Sequence, residues 1–330
     1  MRQQLQYLLL ILVMSIVGTW NVSPSFAKAP GEYKMMLLLP GPAGDKSWNA
    51  ANLKGIRETN KELGTKIEYV ENVQPDQYEA AFDKYAESGY DLVLAAGSQF
   101  DWAAASAARE HEKTVFSVIN GITAVKPNLA PVLLREYEAS FLAGIIAGGI
   151  TKTGKIGVAG AFPDNLMIRL LNTYEWAART GRPDLKVARG YADSWTDAAL
   201  GGQMAASMVD TGADVLFFYA NQAGLGALQE AEKRGVKFIG FAADQNALAP
   251  GTVAASVYFD FEKIYRWTVG KFLDGTLKPV VNELGVAEGI VRVAYGDGIS
   301  PEIQKTVAAA EETLKKRDML FFLSGYPEKP

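Results

Sequence analysis

The sequence contains no cysteine among its 330 residues. This absence excludes disulfide bonds, thiolate nucleophiles, iron–sulfur clusters and cysteine zinc sites, and it also excludes a lipid-modified N-terminal cysteine. The single histidine, His111, cannot form a multi-histidine metal site, and its charged neighbours in Arg109–Lys113 are typical of a solvated helix end. We therefore expect a protein that uses no metal and no cofactor.

Long basic patches are absent as well. Lysine and arginine total 33 against 37 aspartates and glutamates, so the formal net charge is −4. This balance argues against nucleic acid as a partner, because no cluster of positive charge would attract a polyanion. The length indicates two domains, at roughly 100–200 residues per domain.

The one long apolar run lies near the start of the chain, from Leu8 to Val17. It is about ten residues long, whereas a membrane-spanning helix needs about 20. Arg2 precedes the run and a small-x-small site ending at Ala27 follows it, which is typical of a secretory signal. We expect residues 1–27 to be cleaved and the mature protein to be free in the periplasm without a lipid anchor; an uncleaved membrane anchor is the alternative.

Short apolar strands alternate with helices through the rest of the chain. Such alternation is typical of βαβ units around a parallel sheet. In the first half we predict strands at 34–40, 66–70, 91–96 and 114–119, with helices at about 48–63, 77–88 and 103–112. In the second half we predict strands at 155–159, 186–191, 214–219, 237–241 and 252–257, with helices at 140–150, 165–180, 197–211, 225–234 and 300–317.

The pattern restarts near residue 140, which predicts an α/β chain of two Rossmann-like lobes with parallel sheets joined by a hinge. We expect the N-terminal lobe to hold residues 28–133 with about 254–276, because the strand at 252–257 and the following helix look like a return to it. The C-terminal lobe would hold 134–253 with about 277–296, and residues 297–330 would form a helical tail.

Ligands of open parallel sheets bind outside the carboxyl ends of the strands. Carboxylates and amides at those ends can bond to the edge of a heterocycle. For Trp48, stacking on a flat ligand and packing in the lobe core both remain open, and Asp45 or Ser47 can cap the helix that follows. The candidate residues at strand ends are Asp45, Trp48, Asn49, Asp101, Asn120 and Asp244.

Catalytic and nucleotide-binding motifs are incomplete. Gly149–Lys155 resembles a P-loop, but Ile156 replaces the required hydroxyl residue and a helix precedes it, so we interpret it as a helix end and turn. No Gly-x-Gly-x-x-Gly follows the first strand, and no Gly-x-Ser-x-Gly occurs. Glu136 and Glu138 could act as a general acid and a general base, but we interpret them as capping, surface or hinge groups.

Four segments together resemble the basic membrane protein family of substrate-binding proteins, over nearly all of the mature chain. They are Asp45–Asn49, where the family usually has phenylalanine at Trp48, then Arg135–Gly144, Gly212–Val215, and the stretch from Asp244 to Val253.

This resemblance implies a type-I periplasmic-binding-protein fold, an ABC permease as membrane partner, and a purine held between aromatic side chains of the two lobes. Trp48 matches the first aromatic wall, and Tyr219 or Phe162 is our candidate for the second. Asp45, Asn49 and Asp101 lie in segments that the family uses for polar contacts.

Two departures from the family pattern bear on the ligand. Ala242 stands where the family often has an acid, and Phe259 stands where it commonly has a lysine. In nucleoside-binding relatives these charged groups hold ribose hydroxyls, through bonds worth roughly 1.5–3 kcal/mol each. We therefore expect a free purine base, such as adenine or hypoxanthine, to bind better than a nucleoside.

The sequence thus predicts a monomeric binding protein of an ABC importer, without catalysis. A purine nucleoside-binding protein of the same type is one alternative, and a ligand sensor docked to a receptor shares the fold. A secreted nucleoside hydrolase is the alternative from another class, but it would need an acid–base pair or an aspartate cluster for calcium, and no such cluster occurs in the sequence.

Overall fold

The computed structural model describes residues 28–45 and 48–317. The strands are β1 (Met35–Leu38), β2 (Ile67–Val70), β3 (Leu92–Ala96), β4 (Val115–Ile119), β5 (Val132–Leu134), β6 (Lys155–Gly160), β7 (Lys186–Tyr191), β8 (Val215–Tyr219), β9 (Lys237–Ala242), β10 (Val253–Phe259), β11 (Asn282–Leu284) and β12 (Val291–Tyr295). The α-helices are α1 (Trp48–Leu63), α2 (Tyr78–Glu87), α3 (Asp101–Glu110), α4 (Glu136–Ile150), α5 (Asn165–Thr180), α6 (Ala198–Asp210), α7 (Asn221–Arg234), α8 (Phe261–Leu273) and α9 (Pro301–Lys315).

These strands form two six-stranded sheets, one in each lobe. The first has the order β2-β1-β3-β4-β5-β11 and the second the order β7-β6-β8-β9-β10-β12. All neighbours run parallel except β10 and β12, which are antiparallel. Helices cover the faces of a parallel sheet, so β3 and β8 are apolar and buried along their whole length. The predicted pair of Rossmann-like lobes is confirmed.

Within residues 28–317, three crossovers connect the lobes: one at Arg135, between β5 and α4; one at Asp260, between β10 and α8; and one between β11 and β12. Buried polar contacts hold the crossovers together. The Glu138 carboxylate accepts from Arg135 Nε at 2.5 Å and from the backbone N–H of Val286 at 2.7 Å. Arg135 also pairs with Glu283 at 2.8 Å. Glu138 is therefore a hinge group and not a surface group.

The route of the chain differs from our expectation at two strands. We expected the strand at 252–257 to return to the first lobe, but β10 pairs along β9 and lies in the second sheet. The return is made one element later by α8, which packs on α1 and whose Tyr265 hydroxyl donates to Asn52 Oδ1 at 2.7 Å. Likewise β11, expected in the second lobe, pairs with β5 in the first. The strands β5 and β11 were not predicted, because three residues are too few to show the pattern of apolar side chains that indicates a strand.

The end of α4 agrees with our interpretation of the incomplete P-loop. The helix ends at Ile150, and the turn that follows leads into β6. The Asp214 carboxylate accepts from the backbone N–H groups of Lys152 and Thr153 at 2.7 and 2.9 Å, so the turn is tied to the start of β8.

The expected export signal, residues 1–27, lies outside the described residues. Within the described part of the chain, no helix combines the length and the apolar character that crossing a membrane would require.

The packing of α1 on α8 requires a glycine at position 55. A Cβ there would lie 2.6 Å from Tyr265 Cδ2 and 2.7 Å from the Phe261 carbonyl oxygen. We expect Gly55→Ala to lower the free energy of unfolding by about 1–3 kcal/mol, because the two helices must separate. Urea denaturation measures the change.

Gly270 in α8 is the matched control, since a Cβ there would meet no atom within 4 Å. Gly270→Ala should raise the free energy of unfolding by about 0.5–1 kcal/mol through helix propensity. Equal effects of the two substitutions would contradict the packing described here.

Candidate functional site

A cavity of about 610 Å³ lies between the two lobes, at the carboxyl ends of strands from both sheets. This is the position at which doubly wound sheets bind ligands, and the volume is in the usual range for a small-molecule site. The residues that line it are Pro40, Gly41, Pro42, Asp45, Trp48, Asn49, Gly97, Ser98, Gln99, Asn120, Asp164, Leu166, Met167, Trp195, Thr196, Tyr219, Asn221 and Gln222.

Trp48 forms the aromatic part of the first-lobe wall. Its indole N–H donates to the carbonyl of Ala96 at 3.1 Å, and its ring packs edge-on against Phe261 with 5.2 Å between centroids. Only 9% of Trp48 is exposed. The two alternatives for this residue thus combine: it packs in the core and also lines the cavity.

Asp45 caps α1 at the mouth of the cavity. Its carboxylate accepts from the backbone N–H groups of Asn49 and Ala50 at 3.0 and 2.9 Å, and from the Asn49 side chain at 2.8 Å. Its carbonyl accepts from Gln222 Nε2 of the second lobe at 2.6 Å. The segment therefore starts the helix that carries Trp48 and also links the two lobes across the cleft.

The second-lobe wall consists of Tyr219 and Trp195, whose rings meet edge-on at 5.9 Å. Tyr219 ends β8, and Trp195 lies in the loop after β7. The Trp195 carbonyl accepts from the backbone N–H of Gln222 at 2.9 Å, so the start of α7 fixes this loop.

A series of aromatic ring contacts connects one wall to the other. Tyr219 packs on Phe241 at 4.4 Å, Phe241 on Phe259 at 5.6 Å, Phe259 on Phe261 at 6.3 Å, and Phe261 on Trp48 at 5.2 Å. We call these five residues the aromatic row. Because Phe259 and Phe261 flank the crossover at Asp260, the aromatic row joins the lobes as well as the walls.

A buried carboxyl group lies directly behind Tyr219. The Tyr219 hydroxyl donates to Glu136 Oε1 at 2.6 Å, and Glu136 is fully buried at the start of α4. Burial raises the pKa of Glu136 to about 7, although hydrogen bonds from Tyr219 and Asn120 and the charge of Arg169 act in the opposite direction. Glu136 is thus a hinge group and, contrary to one of our alternatives, not a surface group.

Of the eight candidate residues named from the sequence, five line the cavity: Asp45, Trp48, Asn49, Asn120 and Tyr219. The other three lie elsewhere. Asp101 accepts from the backbone N–H groups of Ile122 and Thr123 at 3.0 and 3.2 Å, which fixes the loop after β4. Phe162 is 39% exposed and lies against Trp195 at 6.4 Å. Asp244 is exposed and accepts from the backbone N–H of Asn246.

Sequence reasoning named none of Trp195, Gln222 and Asp164 individually, although Asp164 and Gln222 lie in the strand-end loops 160–165 and 219–224, where we expect the ligand to bind. The strand-end rule applies equally to the loop after β7, and applying it there would have found Trp195. The sequence could not show the bond from Gln222 to Asp45, because the two residues are 177 positions apart.

One group in the described part of the chain has the composition of a metal site: Asp83, Glu110 and His111, whose ligand atoms lie within 4.8 Å of one another. His111 is half-buried and 3.1 Å from Asp83, so it is less solvated than we expected. The group lies at the middle of α2 and the end of α3, away from the cavity lining.

Comparison with known proteins finds a family model, ABC transporter substrate-binding protein PnrA-like, that matches residues 33–319. Basic membrane protein A of Borreliella burgdorferi is 30% identical over 310 residues, which are 91% of this chain and 90% of that protein. A purine-binding protein of Brucella abortus is 25% identical, over 89% of this chain and 84% of that protein.

A nucleoside-binding protein of an ABC transporter from Lactococcus lactis is 29% identical over 57% of this chain and 55% of that protein. Among solved structures, an ABC transporter solute-binding protein of Aeropyrum pernix has a TM-score of 0.76 at 21% identity, covering 87% of this chain and 92% of that one. This likeness shows that the two proteins share a fold.

The burial of Glu136 makes stability depend on pH. In the folded chain its carboxyl stays neutral up to a pKa of about 7, whereas the ordinary value is 4.5. The group therefore favours the folded state most below pH 4.5, and this contribution declines as the pH rises to 7. As the pH rises from 4.5 to 7.5, we expect the free energy of unfolding of the wild type to fall by about 3 kcal/mol relative to that of Glu136→Gln, whose amide does not titrate. Urea unfolding across this range measures the difference, and parallel curves for the two proteins would contradict the assignment.

Proposed function

The chain belongs to the Bmp family of PnrA-like ABC transporter substrate-binding proteins, and from this premise we propose that it binds a purine, as the free base, in the cleft between its lobes. The observation that carries the proposal is the cavity itself, which has aromatic walls on both sides and amide side chains between them. A flat heterocycle fits such walls, and stacking on an aromatic side chain is worth roughly 1–3 kcal/mol per base.

The polar groups of the cavity suit the edge of a purine. Asn49, Asn120 and Gln222 are uncharged and carry both donors and acceptors. The names of the relatives from Brucella abortus and Lactococcus lactis, a purine-binding and a nucleoside-binding protein, support the same class of ligand.

Two departures from the family pattern, Ala242 and Phe259, favour a base over a nucleoside, although neither is among the residues that line the cavity. Phe259 is buried within the aromatic row, and Ala242 is buried at the end of β9 with a φ of 66°. Neither residue offers a hydrogen-bonding side chain to a ribose. A ribose hydroxyl left without a partner in the closed cleft costs about 1–3 kcal/mol.

Helix capping occupies the carboxylates of the cavity, which favours binding over hydrolysis. Among the described residues, the cavity is lined by two carboxylates, Asp45 and Asp164. Asp45 caps α1 and Asp164 caps α5, where it accepts from the backbone N–H of Met167 at 2.8 Å. A hydrolase would need such groups directed at the substrate as acid and base.

We further propose that the protein acts outside the cytoplasmic membrane as a monomer, after cleavage of residues 1–27 and without a lipid anchor. Closure of the lobes would bury the purine and present it to an ABC permease. The link between Gln222 and Asp45 across the cleft is a contact that closure would make.

The choice between base and nucleoside is tested by titration calorimetry with adenine, hypoxanthine, inosine and guanosine. We expect at least one free base to bind ten times more tightly than either nucleoside, because two ribose contacts are lost. Tighter binding of inosine or guanosine than of every base would show that the site serves nucleosides. Release of hypoxanthine from inosine would indicate a hydrolase.

Trp195 is half-buried in the second-lobe wall, so its substitution tests the stacking contact. Trp195→Ala should weaken purine binding by roughly 5- to 150-fold, the equivalent of one stacked ring. Trp102 in α3 is the matched control, because it is 72% exposed and lies outside the cavity lining. Its substitution by alanine should leave the affinity unchanged, and equal effects of the two variants would place the ligand elsewhere.

A further inference from the structure

A hydrogen bond crosses the cleft between residues that belong to none of the crossovers. Gln222 Nε2, at the start of α7 in the second lobe, donates to the main-chain carbonyl of Asp45 in the first lobe at 2.6 Å. The bond from Arg135 to Glu283, by contrast, lies at a crossover. Because Gln222 and Asp45 belong to different lobes, a rotation that opens the lobes about the crossovers must break the bond between them.

The acceptor of this bond is fixed to the first aromatic wall. The Asp45 carboxylate accepts from the backbone N–H groups of Asn49 and Ala50 at 3.0 and 2.9 Å, and the Asp45 N–H donates to the Pro42 carbonyl at 3.2 Å. These bonds tie Asp45 to the first turn of α1, which begins at Trp48. The Asp45 carbonyl therefore moves together with Trp48.

The donor is fixed to the second aromatic wall. The backbone N–H groups of Gln222 and Ala223 donate to the Trp195 carbonyl at 2.9 and 3.4 Å. Trp195 in turn meets Tyr219 edge-on at 5.9 Å. A movement of Gln222 is therefore also a movement of the loop that carries Trp195.

The chemistry of the bond makes it independent of solution conditions. A neutral amide donates to a main-chain carbonyl, so the bond needs no charged group and no particular protonation state. Both Gln222 and Asp45 line the cavity and are partly buried. Loss of a hydrogen bond of this kind changes an equilibrium constant by about 2- to 12-fold.

We propose that Gln222 is a positioning residue that holds the Trp195 wall against a ligand on the Trp48 wall and so sets the rate of ligand release. This inference rests on the proposed function and deepens it, because it concerns how the site retains a purine. The bond is made to the protein and not to the ligand, so it slows the release of every purine by the same factor. Association changes little, because the ligand enters before the lobes close.

Stopped-flow tryptophan fluorescence measures both rate constants, since Trp48 and Trp195 line the cavity. With adenine and with hypoxanthine as the probes, the slope and the intercept of the observed rate against purine concentration give kon and koff. Gln222→Met keeps the length of the side chain and removes the donor without adding a charge. It should raise koff about 2- to 12-fold and change kon by less than about twofold.

Gln222→Glu separates the bond to Asp45 from a direct contact with the ligand. It keeps the shape and one oxygen of the side chain, but it places a second acceptor opposite the Asp45 carbonyl. We expect koff to rise roughly 5- to 150-fold, and by the same factor for adenine and hypoxanthine. Gln229→Met in the same helix is the matched control: Gln229 is exposed and outside the cavity lining, so both rate constants should stay unchanged.

An unchanged koff in both variants of Gln222 would overturn this inference and leave the proposed function intact. Factors that differ between adenine and hypoxanthine in Gln222→Glu would also overturn it, because Gln222 would then act on the ligand itself. Failure of both purines to bind the wild type would overturn the inference and the proposed function together.

Discussion

The contact between the Tyr219 hydroxyl and the buried Glu136 carboxyl is the interaction on which the site depends. Tyr219 ends the central strand of the second sheet, whereas Glu136 begins the helix that follows the first crossover. The bond therefore fixes a wall of the cleft relative to the hinge. A solvated pair of this kind would contribute little, but full burial makes the loss of either partner costly.

The same bond separates two layers with different chemistry. The aromatic row forms an apolar layer from Trp48 to Tyr219 that contains no charged side chain. Behind Tyr219, the polar side chains of Glu136 and Asn120 are both buried. Apolar walls supply binding energy for a flat ligand, and a few directed polar groups supply the choice among such ligands. Arranging both at the crossovers allows closure of the lobes and recognition of the ligand to occur at one place.

Much of this architecture follows from local pattern. Helix α5 and strand β7 have the bounds that periodicity predicts. Trp48 and Tyr219 line the cavity because both lie at the carboxyl ends of parallel strands: Tyr219 ends β8, and Trp48 begins the helix after β1. Local pattern could not predict the lobe to which β10 belongs. Its buried apolar sequence suits either sheet, and only pairing with β9 assigns it.

Long-range contacts account for the other differences. Glu136 and Tyr219 are 83 residues apart, so the sequence placed Glu136 at a helix start without indicating its burial or its partner. Asp101 and Asp244 follow strands just as Asp45 does, yet Asp101 is used to fix a loop and Asp244 remains exposed. A strand-end position brings a residue near the cleft, and the hydrogen bonds of its own loop decide whether it faces the cavity.

The central claim is that the cleft holds a purine base. Its most direct test is to express the full chain, purify it from a periplasmic extract, denature it, and identify the released small molecule by mass spectrometry. The account predicts a free purine base, present in the wild type and depleted in the Trp195→Ala variant. A nucleoside, or a molecule without a purine ring, released in amounts equal to the protein would contradict it.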